Sequence, residues 1–416
     1  MINNKDVQIL RDLAKQTLEI ASQPIQDERR SLWRDFNSLK TYRVPVYILD
    51  PQGMWREVFS HKNLKCEDEL FRHYENWLHL QLYHASFGDD YIVEPFINIR
   101  PEYANTTPNW GSWGVSNEVK RIHETLAYHL NKPPVVAPED LQKLIAPTPV
   151  IDRAKTEQRK NKLEEAIGDI IRVELDTFPP CISGLSYLLA YLLGPEEMLY
   201  QFYDQPDMVH EISGAFRDNA IKICDEAEKS GLYSNCDGVF PGNPQTQAMA
   251  YCHELPEPGQ RHTVSMAQHW IYDCSQEFEC VSPEMYYEFV LSYQIPVYEK
   301  FGLTSYGCCE SLTKKIPYLK KLKNLRRIAV TPWANDEECA SQIEDKYIVS
   351  WRPNPSEMVM SGFDAERIAG IVRRTKNIYE SHGCHWEVNL KDFISVEHDP
   401  DRLRKWVSVV RETLES

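Results

Sequence analysis

The most restrictive feature of this sequence is the alternation of strand-like and helix-like segments through its second half. Residues 262–273 read as a strand, and residues 282–302 as a helix with Ser282 at the N-cap and Pro283 at the first helical position. Residues 303–309 read as a strand, and 312–324 as a basic helix. Residues 326–333 are a strand, and NDEECASQI after them is a helix with an acidic first turn. Strands at 346–355 and 385–393 are followed by helices at 364–381 and 400–415. Repeated strand–helix units imply a parallel sheet with right-handed crossovers.

The first half carries the same signals less regularly. Residues 5–40 read as two amphipathic helices, 43–50 (RVPVYILD) as a buried strand and 66–86 as a helix. Strands are expected at 89–99, crossed by Pro95, at 170–179, and weakly at 237–240. A Pro-rich connector spans 133–150, a charged helix 152–166 and a buried helix 183–194, with further helices to Lys229. With eight or nine strand candidates, the expected fold is α/β, a (β/α)8 TIM barrel. Residues 1–42 form an N-terminal helical extension, and 43–416 the barrel, with a loop insertion around 100–165. A doubly wound open sheet is the alternative. No GxGxxG or GxxxxGK[ST] loop follows any strand, which weakens a nucleotide-binding version.

Charge and cysteine usage narrow the partners. The formal net charge of -16 argues against non-specific binding to nucleic acid or an anionic membrane. No run of 18 apolar residues exists, and the charged N-terminus lacks a signal-peptide pattern. Eleven scattered Cys suit a reducing compartment better than a disulfide framework, so a cytoplasmic protein is expected.

In a barrel, chemistry collects where the strands end. There this sequence places His269, Asp273, Gln276 and Glu277, then Cys308, Cys309 and Glu310 in LTSYGCCE. Trp333 ends the next strand, Arg352 and Asn354 the one after, and Asn389, Lys391 and Asp392 the last. Thiolates, a carboxylate and an imidazole are zinc ligands, so Cys308, Cys309, Glu310 and His269 are the candidate metal set. The competing account of the Cys pair is small apolar filling of the interior. Strand alternation would put Tyr306, Cys308 and Glu310 on one face, unless the strand stops near Gly307. Glu277, Tyr306, Lys391 and Asp392 are the candidate catalytic groups. Arg352 and Lys391 suit an anionic substrate or cofactor, with Gln276, Asn354 and Asn389 as further binding groups. Trp110 and Trp113, in a Gly- and Pro-bearing loop, are either a stacking wall over a ligand or anchors of that loop. With Trp270 and Trp333 they would form an apolar lip. His382 and His385 flank Cys384 before the last strand, at the wrong end for this site, and read as a surface turn.

Several stretches resemble the uroporphyrinogen decarboxylase superfamily: residues 11–26, 32–40, 275–293, YGCCE at 306–310 and NLKD at 389–392. The resemblance implies a (β/α)8 barrel and one of two chemistries. One is cofactor-free decarboxylation of a porphyrinogen. The other is zinc-dependent methyl transfer between a thiol or similar acceptor and a corrinoid carried by a separate small protein, as in methylcobamide:coenzyme M methyltransferases. The chain departs from the decarboxylase at YILDPQGMWREVF, where an Arg-rich segment is replaced by one Arg, Arg56, and an added acid, Asp50. It departs from the methyltransferases where their His-x-Cys motif aligns with Tyr306 and Cys308. Cys309, Glu310 or His269 would then complete the zinc shell. The expectation is a zinc-dependent methyltransferase or demethylase acting with a corrinoid protein on a small methylated molecule, as a monomer or homodimer. The alternatives are a decarboxylase-like lyase, with Asp50 essential, and a non-catalytic cobamide-binding barrel.

Overall fold

The computed structural model describes residues 4–40, 43–49, 51–105, 110–116, 119–121, 128–130, 132–237, 244–259, 265–359 and 362–416. Its strands are β1 (Val46–Ile48), β2 (Phe96–Ile99), β3 (Val119–Arg121), β4 (Tyr128–Leu130), β5 (Arg172–Leu175), β6 (Trp270–Asp273), β7 (Leu303–Tyr306), β8 (Leu325–Val330), β9 (Ile348–Trp351) and β10 (His385–Leu390). Six of them form one parallel sheet in the order β1-β10-β9-β8-β7-β6. Successive strand–helix units of the second half therefore lie side by side. The first strand returns to pair with the last, which curls the sheet into half a barrel. β2 and β5 form a separate parallel pair, and β3 and β4 an antiparallel one.

The expected closed eight-stranded barrel is thus corrected to a six-stranded half-barrel among the described residues. Irregular chain, using side chains in place of a backbone ladder, covers its two edges. Beside β1, the Asp90 amide donates to the Val46 carbonyl at 2.8 Å. The carboxylates of Asp90 and Asp89 take the amides of Val46 and Ile48 at 2.9 and 3.0 Å. Beside β6, Gln245 Oε1 accepts the Tyr272 amide at 3.0 Å, and Trp270 Nε1 donates to the Ala250 carbonyl at 3.3 Å. Both edges keep their hydrogen bonds without offering a surface for another strand. Most of the weak strand expected at 237–240 lies outside the described residues.

Strand side chains alternate between two environments. Ile328, Val330, Val349, Trp351, Val388 and Leu390 join the main apolar core. Their neighbours Arg327, Ser350, Glu387 and Asn389 turn inward and are fully buried. There Arg327 donates to Glu387 Oε2 at 3.0 Å, to Asn37 Oδ1 at 2.7 Å and to the Thr246 carbonyl at 2.7 Å. Ser350 Oγ completes the carboxylate at 2.7 Å. Asn37, the last residue of the helix Pro24–Asn37, also donates to the carbonyls of Met249 and Tyr251 at 2.8 and 2.7 Å. The N-terminal helix Asn4–Ala21 buries Leu10 and Leu13 in a second core with the helix Glu69–Ala85 and strands β2 and β5.

The helix expected at 282–302 is present as Pro283–Tyr286, a π-helical turn Tyr287–Leu291 and Ser292–Tyr298, with Ser282 accepting the Met285 amide as N-cap. The basic helix expected at 312–324 shrinks to Ile316–Leu319. Among the described residues no helix is long and apolar enough to cross a membrane.

Candidate functional site: a thiol cluster at the strand ends

β6 and β7 run in register, so that Asp273 lies opposite Tyr306 and the next residues share one level. β7 stops at Gly307, whose φ of +105° belongs to glycine. A Cβ at that position would stand 2.6 Å from Leu312 Cδ1 and 2.9 Å from the Ala329 Cβ. The turn breaks the strand's alternation and lifts Cys308 and Cys309 over the strand ends. Their Sγ atoms are 3.4 Å apart. Lys391, directly after β10, brings its Nζ 3.0 Å from Cys308 Sγ and 3.9 Å from Cys309 Sγ. Asp392 accepts from the Cys309 thiol at 3.4 Å and pairs with Lys391 at 3.0 Å. Arg352, directly after β9, donates to the Cys308 carbonyl at 3.0 Å. Cys274, the first residue past β6, adds a third thiol that acts on the ionisation of Cys308.

The electrostatics separate the three thiols. Hydrogen bonds from Cys274 and Cys309, helped by Lys391 and Arg352, hold Cys308 far below an ordinary thiol and overcome the opposing effect of burial. Cys274 and Cys309 move the opposite way, chiefly because their contact with Cys308 favours the protonated form of each. Of the three thiols Cys308 is the one placed to lose its proton, with Lys391 at 3.0 Å and Cys309 at 3.4 Å from its sulfur.

Glu310 turns its carboxylate onto backbone amides. It is buried and accepts the amides of Ser275 and Cys308 at 2.8 and 2.9 Å, clamping the ends of β6 and β7 together. Tyr306 turns outward, toward the helix Ser292–Tyr298. Its hydroxyl meets Ser275 Oγ at 2.6 Å and donates to Gln294 Oε1 at 2.9 Å. The same layer holds Asp273, which takes the Gly184 amide at 3.0 Å, Gln294 at 2.9 Å and the Tyr298 hydroxyl. Burial raises this carboxyl to about 7. His269 precedes β6, a strand's length from the thiols, with its ring between Phe178 and Tyr233. The expected metal set thus divides: Cys308 and Cys309 stand together, while Glu310 and His269 have other surroundings.

The remaining candidates divide in the same way. Asn389 lies in the interior and donates to the Gln247 carbonyl at 2.8 Å. Asn354 caps the short helix Pro355–Met358 through the Ser356 amide at 3.0 Å. Glu277 is half-buried and accepts from Ser186 Oγ at 2.6 Å, beside exposed Gln276. Trp113 is buried in the main core, so it anchors its loop. Trp110 packs edge-on against Tyr103. Trp270 is buried as well, whereas Trp333 is 71% exposed at the end of β8, so no four-Trp lip forms. Asp50 lies outside the described residues.

Cys274, Tyr272 and Gln247 are residues of this site that the sequence reading missed; the Tyr272 hydroxyl, like Cys274, interacts with Cys308. Cys274 is one of eleven scattered Cys, and only the register of β6 against β7 sets it beside Cys308. Gln247 comes from irregular chain, has a φ of +59° and accepts from Arg352 Nη2 at 3.3 Å.

No protein-family profile matches the chain, and no curated protein matches it. Among solved structures, a methyltransferase from Methanosarcina mazei is similar over 92% of this chain and 97% of its own, with a TM-score of 0.50 at 11% identity. A likeness at that identity concerns the fold.

Proposed function

We propose that the chain transfers methyl groups at the thiol cluster, as a zinc-dependent methyltransferase or demethylase that works with a corrinoid protein on a small methylated molecule. The observation that carries this reading is the convergence of Cys274, Cys308 and Cys309 with Lys391 and Arg352 at the ends of four different strands. Sulfur donors suit zinc. Cys308 and Cys309 would hold the ion, with Cys274 and Asp392 as the nearest further donors. Among the described residues no three His, Cys, Asp and Glu side chains stand ready around one point, and Lys391 lies against Cys308. Loading therefore calls for the thiols to rearrange and Lys391 to withdraw. Bound there, zinc would keep a thiol or similar acceptor anionic at neutral pH.

The chain's own groups do the rest. Before loading, Lys391 and Arg352 favour the thiolate form of Cys308, and Arg352, held on the Cys308 carbonyl, would stay beside the sulfurs once Lys391 has withdrawn. Glu310 fixes the Cys308 amide, and with it the position of the thiolate. The acceptor approaches from the side where Cys309 and Asp392 are exposed.

Two measurements on the purified chain test this. Elemental analysis should find about one zinc per chain, lost in Cys308→Ala and Cys309→Ala. Methylcobalamin mixed with a small thiol should lose its methyl–cobalt absorbance faster with the wild type than with either variant. Zinc retained by both variants, together with no acceleration, overturns the proposal.

A further inference from the structure

Arg352 is only 2% exposed, yet none of the described carboxylates lies within ion-pair distance of it. Its Nη1 and Nη2 donate to neutral acceptors, the Cys308 carbonyl at 3.0 Å and Gln247 Oε1 at 3.3 Å. Its Nε has no partner among the described residues. The neighbouring ammonium differs: Lys391 Nζ has both Cys308 Sγ and Asp392 Oδ2 at 3.0 Å. The second buried guanidinium nearby, Arg327, is answered by Glu387. The charge of Arg352 favours the thiolate form of Cys308, but both hydrogen bonds of its guanidinium go to neutral oxygens, and a buried N–H left without an acceptor is costly. The donor of Arg352 left unused is its Nε–H, which with a terminal N–H on the same side makes a flat fork. That flat fork matches the two oxygens of a carboxylate.

We infer that Arg352 is the anchor of a carboxylate-binding subsite beside Cys308, so that the small molecule handled here carries a carboxylate close to its reacting carbon. The subsite stands on the Arg352 geometry; only the statement that the molecule bears a methyl group rests on the proposed function. Gln247 and the Cys308 carbonyl orient the guanidinium, and Cys308 lies next to the group so held. The inference names a substrate class, a small methylated carboxylic acid, over an amine or a neutral ether.

Two isosteric alkylating agents test it directly, because one carries the carboxylate and the other an amide. The full-length, chelator-treated protein is exposed to iodoacetate or iodoacetamide, and modification of Cys308 is followed by peptide mass spectrometry. Iodoacetate should react about tenfold faster than iodoacetamide at Cys308, with a rate that saturates in concentration. Acetate should slow iodoacetate and leave iodoacetamide unaffected. In Arg352→Gln the preference should disappear while iodoacetamide still reacts. Equal rates in the wild type without protection by acetate overturn the inference, and the wild-type comparison does not depend on how the variant folds. The assay needs neither zinc nor turnover, so a negative zinc analysis would remove the methyl-transfer reading and leave this result standing.

Discussion

Burial holds the His269 imidazole neutral, pulling its pKa from the ordinary 6.5 to about 4. Its Nδ1 lies 3.2 Å from the Trp270 carbonyl, which assigns the proton to that nitrogen, and its Nε2 has no partner among the described residues. The unfolded chain takes up a proton near 6.5 and the folded chain only near 4, so the group's destabilising effect begins as pH falls through 6.5 and is complete below 4. Between pH 7 and pH 5 the loss attributable to this one side chain is about 2 kcal/mol. His269→Phe, between Phe178 and Tyr233, should shrink the difference in unfolding free energy between those two pH values by about that amount. Denaturant titrations of both proteins at each pH check it, and an unchanged difference would show that the imidazole titrates normally. The same residue marks where single positions were hard to read. His269 and Glu310 have the right chemistry for a metal, but only the three-dimensional register sends one to the far end of β6 and the other onto two backbone amides. Strand alternation puts Tyr306, Cys308 and Glu310 on one face unless the strand stops near Gly307, and β7 stops there.

At the scale of one element, the end of β7 depends on Gly307. Its φ of +105° and its approach to Leu312 and Ala329 each oppose a side chain. Gly307→Ala should cost about 2–4 kcal/mol, from left-handed backbone strain plus overpacking. Gly88→Ala is the control: φ is +80° there, but nothing lies within 4 Å of the added carbon, so it should cost only about 1–2 kcal/mol of backbone strain. Because the Gly307 turn carries Cys308 to Lys391, Gly307→Ala should also slow alkylation of Cys308 by iodoacetamide, and Gly88→Ala should not. Equal stability losses and equal alkylation rates in the two variants would show that the turn has slack. The helix start and the strand were legible because their cues are local, Ser282 and Pro283 before the helix and the apolar run from Leu303, whereas the stop at Gly307 was one of two readings and the strand expected at 303–309 ends at Tyr306. The short helix Ile316–Leu319 was not, because a run of Lys among apolar residues has helical periodicity whether or not a helix packs there.

For the whole molecule, the strand–helix period gave away the parallel sheet and its order, since five consecutive units lie next to one another. How the curl is closed was hidden, because residues 244–252 and 89–93 bond through side chains and have no period to detect. What fastens the curl is the buried pair of Arg327 and Glu387, both 0% exposed, which joins β8 and β10 to Asn37 of the helix Pro24–Asn37 and to the Thr246 carbonyl. A buried pair of this kind adds little net stability over an apolar replacement, yet breaking one side of it is expensive. Glu387→Gln should therefore cost about 3–5 kcal/mol, because Arg327 keeps a charge with no counter-ion. Arg327→Met combined with Glu387→Leu should recover much of that loss, while leaving Asn37 Oδ1 and the Thr246 carbonyl without the guanidinium as donor. Urea unfolding of the wild type and the two variants measures both changes. If the double variant is no more stable than Glu387→Gln, the guanidinium's bonds to Asn37 and Thr246, rather than charge pairing, hold the half-barrel closed.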